Sequence, residues 1–254
     1  SFLTSRFVLT FAVMLLFRPS IVKKFTPDLI RKGFVIGAAL GSGFALQTLG
    51  LERVTPATAG FVTGLYVILT PVLGYLFLKE HLSREAWFYV GLATVGLAVL
   101  SLKGLTMGFG EFLVFLSTFF YAGHILLLSR WSKGFDAYAL TVMQMISCSL
   151  LSLIPTSIHG YTAPADREVW GVVLFCAIFA SALAFVIQTW SQARISATKV
   201  AVILMMEVVF AAFFSVVLGR EQLTARLIIG GAMVVVAMVA IVQPRFHEKI
   251  DHGR

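Results

Sequence analysis

Apolar residues in this chain neither alternate nor keep to one helix face; they run on for about 20 positions at a time before a short polar or proline-containing connection interrupts them. The long runs cover 33–51, 54–78, 86–102, 109–129, 135–155, 169–191, 197–218 and 225–243, with a shorter ninth at 2–17 that contains Arg6. A helix rising 1.5 Å per residue needs about 20 such residues to cross a hydrocarbon core of ~30 Å. Helices are expected rather than barrel strands, because lipid offers no water to unpaired backbone groups and a lipid-facing strand would alternate. Pro19, Pro27, Pro56, Gly104, Gly134, Pro155, Pro164 and Pro244 fall near or between the runs, where helix breaks are expected.

Composition sharpens this picture. The 254 residues are 59% hydrophobic and only 13% charged, with a mean hydropathy of +0.93, against roughly 45–50% and 25% in soluble domains. The chain therefore reads as an all-α, polytopic transmembrane helix bundle with no window for a separate soluble core, and disorder and coiled coils are excluded. A net charge of +8 would elsewhere suggest nucleic acid. Here the basic residues stand singly or in pairs between apolar runs, which fits a topology signal better. Alternate connections carry 14 and 6 of the 20 Lys and Arg residues. The excess belongs on the cytoplasmic side, which puts the 18–32 connection and the C-terminal tail there. Cys148 and Cys176 lie inside apolar runs without metal-ligand spacing, there is no asparagine to glycosylate, and the stretch after Ser1, lacking a basic leader and a small-residue cleavage site, is not read as a signal peptide.

Internal repetition is the strongest sequence pointer to a transporter architecture. A shift of 141 positions lays Gln47-Thr48 on Gln188-Thr189, Arg53 on Arg194, Val54-Thr55 on Ile195-Ser196, Lys79-Glu80 on Arg220-Glu221 and Leu82-Ser83 on Leu223-Thr224 without a gap. The same register superimposes 33–51 on 169–191 and 86–102 on 225–243. An odd number of spans separates the copies, so Arg53 falls on the outer side and Arg194 on the inner side. The repeat is thus expected to be inverted, with a first half at 1–102, a second at 103–243 and a tail at 244–254. The first helix of the second half would map ahead of Ser1, so a five-plus-five design is expected with its first helix absent from the nine visible spans.

Several stretches carry a resemblance to a known family. They are Gly110-Glu111-Phe112-Leu113 through Phe120-Tyr121-Ala122-Gly123 ahead of Arg130, Leu218-Gly219-Arg220-Glu221-Gln222-Leu223, its counterpart Leu78-Lys79-Glu80-His81-Leu82-Ser83, and Ser5-Arg6-Phe7. Across nearly its whole length the chain resembles EamA-type members of the drug/metabolite transporter superfamily. That resemblance implies a ten-helix secondary transporter of small metabolites or drugs, often an exporter. The chain departs from the family at Glu207-Val208-Val209-Phe210. The family usually has proline after the carboxylate, so the residue that would kink this helix is missing.

An ionisable side chain in hydrocarbon costs at least ~2.5 kcal/mol and is a functional candidate by default. Glu207 lies nine residues after Thr198, about 14 Å into its span and so near the midplane, where a carboxyl that takes up and releases a proton would couple transport. The alternative is a carboxyl that locks two helices together. Tyr66 is its register partner. Arg6, nearer the outer end of its span, would hold an anionic solute or snorkel to headgroups. His124, Tyr121 and Ser117 share a helix face, as do Thr63, Tyr66 and Thr70, and Ser181 with Gln188. Interhelical hydrogen bonding explains such stripes equally well, and is the preferred reading of Gln47 and Gln188. Gly33, Gly37 and Gly41, and the pair Gly60 and Gly64, read as close packing. Glu80 and Glu221 read as interfacial ion pairs with Lys79 and Arg220.

No Walker A sequence, HExxH or paired-aspartate motif occurs. No cofactor or metal is expected, and the chain is not read as an enzyme. The leading expectation is a multi-pass transporter of the cell membrane, in a bacterium the inner membrane. Its expected partners are a small-molecule solute, lipid and coupling protons, with homodimerisation left open. An intramembrane enzyme acting on lipids and a non-transporting membrane subunit are the alternatives.

Overall fold

A computed structural model describes residues 2–54, 56–79, 83–101, 108–163, 166–218 and 222–242. Among them every regular element is helical: α1 Phe2–Phe17, a 3-10 turn Pro19–Lys24, α2 Pro27–Leu51, α3 Pro56–Gly64, α4 Tyr66–Leu78, α5 Arg84–Ser101, α6 Phe109–Trp131, α7 Ala137–His159, α8 Arg167–Ala177, a π-helical segment Ile178–Leu183, α9 Ala184–Gln192, α10 Ala197–Leu204, α11 Met206–Val217 and α12 Ala225–Val242. Six helical stretches are long and apolar enough to cross a membrane: Pro27–Leu51, Thr58–Phe77, Phe109–Trp131, Ala137–Ile158, Arg167–Gln192 and Ala197–Phe214. The 16 residues of α1 and 18 each of α5 and α12 reach about 24–27 Å, a turn or so short of the full core.

Local chemistry sets many boundaries. Pro27 and Pro56 occupy first helical positions, where their missing N–H costs nothing. Lys79 closes α4 in the left-handed conformation at φ 54°, its N–H returning to the Gly74 carbonyl, while Gly160 follows α7 at φ 80°. Pro155, expected to end a span, instead lies inside α7. Thr156 and Thr4 both donate to the Ser152 carbonyl at 2.9 Å, one residue beyond the Leu151 carbonyl whose regular N–H partner the proline lacks. The breaks between α3 and α4 and between α10 and α11 were not foreseen, since neither falls on a proline.

The chain forms two compact units, Ser1–Ala45 with Leu127–Ile195, and Leu46–Leu126 with Ser196–Arg254. In the first, α1 packs on α7 and α8, and the start of α2 lies against α7. Gly33, Gly37 and Gly41 make that approach possible, as their spacing predicts. Ser147 donates to the Phe34 carbonyl at 2.9 Å, and Cys148 Sγ to that of Gly37 at 3.3 Å. In the second unit, Val67, Val90, Leu97, Val202, Met205 and Val234 centre the core. Gly96 lets α5 meet α12, and Gly64 faces Leu97. Gly60, expected to pack like Gly64, has nothing within 4 Å of where its Cβ would lie. Outward-facing Phe175, Phe179, Ile187, Phe213 and Phe214 give both units the apolar surface that lipid requires.

Asp136 caps α7 by accepting from the backbone N–H groups of Tyr138 and Ala139, at 2.9 and 3.2 Å. It also accepts from Lys24 Nζ at 2.5 Å, with Arg18 Nη1 3.6 Å away. Partial burial pushes its carboxyl up, but the Lys24 hydrogen bond and charge and the two backbone donors outweigh this and hold it below the usual carboxylate range. A depressed value means that its stabilisation is present at neutral pH and is lost as pH falls from the ordinary carboxylate value through the lower folded one. Asp136→Ala is therefore expected to destabilise by about 0.5–2 kcal/mol at pH 7, with the gap closing in strong acid. Thermal unfolding in detergent at the two pH values checks this.

Candidate functional site

Three of the residues singled out by their polarity meet in the second unit. Gln47, from the last turns of α2, donates through Nε2 to Thr63 Oγ1 on α3 at 2.9 Å. It accepts at Oε1 from the Tyr121 hydroxyl on α6 at 2.7 Å. One amide thus uses both its donor and its acceptor to tie three helices, a bridge that fixes which way each polar group points. His124 lies almost one turn further along α6 and is 2% exposed. Ser117, on the same face, spends its hydroxyl on the Val114 carbonyl of its own helix at 2.6 Å, and Thr70 likewise returns to the Tyr66 carbonyl at 2.7 Å.

Tyr66 and Glu207 each lie beside a helix break. At the first, the Leu65 N–H reaches the Val62 carbonyl at 3.1 Å and the Ile68 N–H reaches that of Leu65 at 3.0 Å. At the second, Met205 bonds to Val202 at 3.2 Å and Val208 to Met205 at 3.0 Å. Both breaks therefore tighten to three-residue spacing over a single turn, and the Leu69 N–H resumes the four-residue pattern at the Leu65 carbonyl at 3.1 Å. Tyr66 begins α4, packs against the core cluster and lies within electrostatic reach of Glu207 near the start of α11. Glu207 sits on an exposed face of that helix with Phe210 and Phe214.

Arg6 and Gln188 belong to the first unit. Gln188 donates to Gln192 Oε1 at 3.1 Å along its own helix. Arg6 donates through Nε to Ser181 Oγ at 2.7 Å and through Nη2 to the Ala180 carbonyl at 3.0 Å. Its guanidinium carbon is 5.5 Å from the Phe7 ring centroid and 5.2 Å from that of Phe44, within cation–π range. Sequence spacing pairs Ser181 only with Gln188; its bond to Arg6 and the π-helical turn around it are visible in the structure alone. A second polar knot also escapes the sequence reading: Thr141 donates to Thr189 Oγ1 at 3.0 Å and Gln144 to the same atom at 3.3 Å. Their i, i+3 spacing on α7 was the available signal. Glu80, Glu221 and Arg220, expected to form interfacial pairs, and the tail at 244–254 lie outside the described residues.

The family model for the EamA-like transporter family matches residues 1–102 and 108–243. An uncharacterized transporter of Archaeoglobus fulgidus is 31% identical over 216 residues, spanning 83% of this chain and 68% of that protein. The uncharacterized transporter YyaM of Bacillus subtilis is 25% identical over 272 aligned positions, spanning 96% and 86% respectively. A solved crystal structure matches with a TM-score of 0.81 over 99% of this chain and 89% of its own; at 17% identity this is a likeness of fold.

Proposed function

The chain belongs to the EamA-like transporter family, and from that premise we propose that it is a secondary transporter of small metabolites or drugs, probing each side of the cell membrane in turn through two inverted halves. The observation that carries this reading is the pair of helix breaks, at Leu65 and Met205, in the middle of corresponding spans. Discontinuous helices of this kind, in matching places of two halves, are where transporters build solute and ion sites. The 141-residue register supports the duplication. It takes Pro27–Leu51 to 168–192 beside the observed Arg167–Gln192, takes Pro56 to position 197 where α10 starts, and takes Arg84–Ser101 to 225–242, the bounds of α12. The breaks themselves correspond one residue out of register.

Contacts between connections support the assigned sides. The Lys24–Asp136 bond joins two connections that the charge count puts on the cytoplasmic side. The bond shared by Ser5 Oγ and Tyr161 Oη, at 2.7 Å, joins two chain positions assigned to the opposite side. In this scheme Glu207 and Tyr66 form the proton-coupling centre, and Gln47, Thr63, Tyr121 and His124 line the polar path with it. Gln188 and Arg6 serve the other unit, and export is the proposed direction.

Reconstitution into liposomes tests the reading. Vesicles holding the protein are expected to move members of a labelled metabolite and drug mixture faster than empty vesicles, and faster still under a pH gradient. Equal rates in both, over the whole mixture, would sink it.

A further inference from the structure

The π-helical segment Ile178–Leu183 is the one such stretch among the described residues, and it is held in place from outside its own chain segment. A π turn widens the helix and turns carbonyls away from their regular partners. Here α1 supplies replacements: Arg6 donates to the Ala180 carbonyl and to Ser181 Oγ, while Thr10, whose hydroxyl donates to the Arg6 carbonyl of its own helix at 2.6 Å, lies 3.3 Å from the Ala177 carbonyl. Phe7 and Phe44 flank the guanidinium, and Phe44 packs edge-on to Phe185 at 6.4 Å, just past the π segment. The register counterparts of Arg6 and Ser181 are Ser147 and Leu40, in a place where glycines seat α2 directly on α7. The two register-related contacts between the halves thus differ: one is closed by glycine-mediated backbone contact, the other carries the Arg6 cation.

We infer that Arg6 is an anion-operated latch: the carboxylate of a solute competes with Ser181 Oγ and the Ala180 carbonyl for the guanidinium, and its binding lets residues 178–183 return to α-helical register. A carboxylate is the matching ligand because its two oxygens accept the parallel N–H pair of a guanidinium. A single cation also balances a single negative charge, whereas a dianion would leave excess charge among aromatic rings. The aromatic flank suits a carboxylate with a planar apolar body. Removing one residue's worth of π register rotates the C-terminal part of the helix by about 100° about its axis, which turns Phe185, Gln188 and Thr189 and links solute arrival to helix movement. This inference deepens the transporter reading and rests on it for its purpose, but its test reads binding instead of flux.

The test uses the full chain in lipid nanodiscs, with amide hydrogen exchange followed across 178–187. Acetate, benzoate and phenylacetate are titrated against acetamide, benzamide and phenylacetamide at matched ionic strength. At least one carboxylate is expected to slow exchange in that segment several-fold while its amide does not. Ser181→Ala removes a competitor for the guanidinium and is expected to bring the same response at about five- to tenfold lower concentration. Arg6→Lys keeps a weakened carboxylate response, and Arg6→Gln loses it. A merely structural Arg6–Ser181 bond would not make Ser181→Ala bind more tightly. Amides acting as well as carboxylates, no carboxylate acting at all, or weaker binding by Ser181→Ala would each overturn the latch. Carboxylate-independent flux in vesicles would overturn it too, while leaving transport intact.

Discussion

Glu207→Gln is expected to cut solute flux driven by a pH gradient by at least about tenfold and to abolish its pH dependence. The amide keeps the shape and hydrogen-bonding capacity of the side chain but cannot exchange a proton. Glu207 lies beside the Met205 break, on an exposed face of a largely apolar helix and within reach of Tyr66. In the proposed scheme a carboxyl placed there meets a different side as the pathway alternates, which is the requirement for taking a proton from one side and leaving it on the other. Solute exchange between equal concentrations on the two sides needs no net proton movement, so it should survive the substitution. If both modes are lost together, the carboxyl is holding helices in place; if neither changes, it carries no coupling.

The largest stability effect is expected from Gly37→Ala. Its new Cβ would lie 2.5 Å from the Gln144 carbonyl oxygen, 2.7 Å from Gln144 Cα and 2.7 Å from Ser147 Cβ. Most of that is backbone of a facing helix, which cannot swing aside as a flexible side chain can. The helices must part, stretching the Ser147–Phe34 and Cys148–Gly37 hydrogen bonds that cross the same contact. Overpacking of this kind costs about 1–3 kcal/mol, and loss of the bonds adds to it. Gly60→Ala is the control: with open space at its Cβ, helix propensity alone acts and favours alanine by up to about 1 kcal/mol. Thermal unfolding midpoints of the two variants should therefore move in opposite directions. A Gly37→Ala protein as stable as the parent would mean that α2 and α7 are not in contact as described.

The comparison of these two glycines also shows where sequence reasoning succeeds and where it stops. Spacing at i+4 names a helix face, and for Gly33, Gly37 and Gly41 that face was a packing face. For Gly60 the same spacing led to open space, because the groups lying opposite are set by tertiary structure. The polar residues of the Gln47–Thr63–Tyr121 bridge were all legible, since polar side chains stand out in apolar spans; that they bond to one another was not. The π segment was invisible. Ile178, Phe179, Ala180, Ser181, Ala182 and Leu183 carry no breaker, and the turn is held by Arg6, more than 170 positions away. The breaks at Leu65 and Met205 carry no breaker either, whereas Pro155, expected near a helix end, sits inside α7, as Pro71 does inside α4.

The proposed inverted duplication makes one demand that a parallel duplication would not meet. In the proposed scheme Arg53 and Arg194 occupy equivalent positions in the two halves and open to opposite sides of the membrane. With Cys148 and Cys176 replaced by serine, single cysteines at 53 and 194 are to be labelled in intact cells with a membrane-impermeant maleimide, before and after permeabilisation. The account predicts that position 53 reacts from outside and position 194 only once the membrane is opened. Labelling of both from the same side would contradict it.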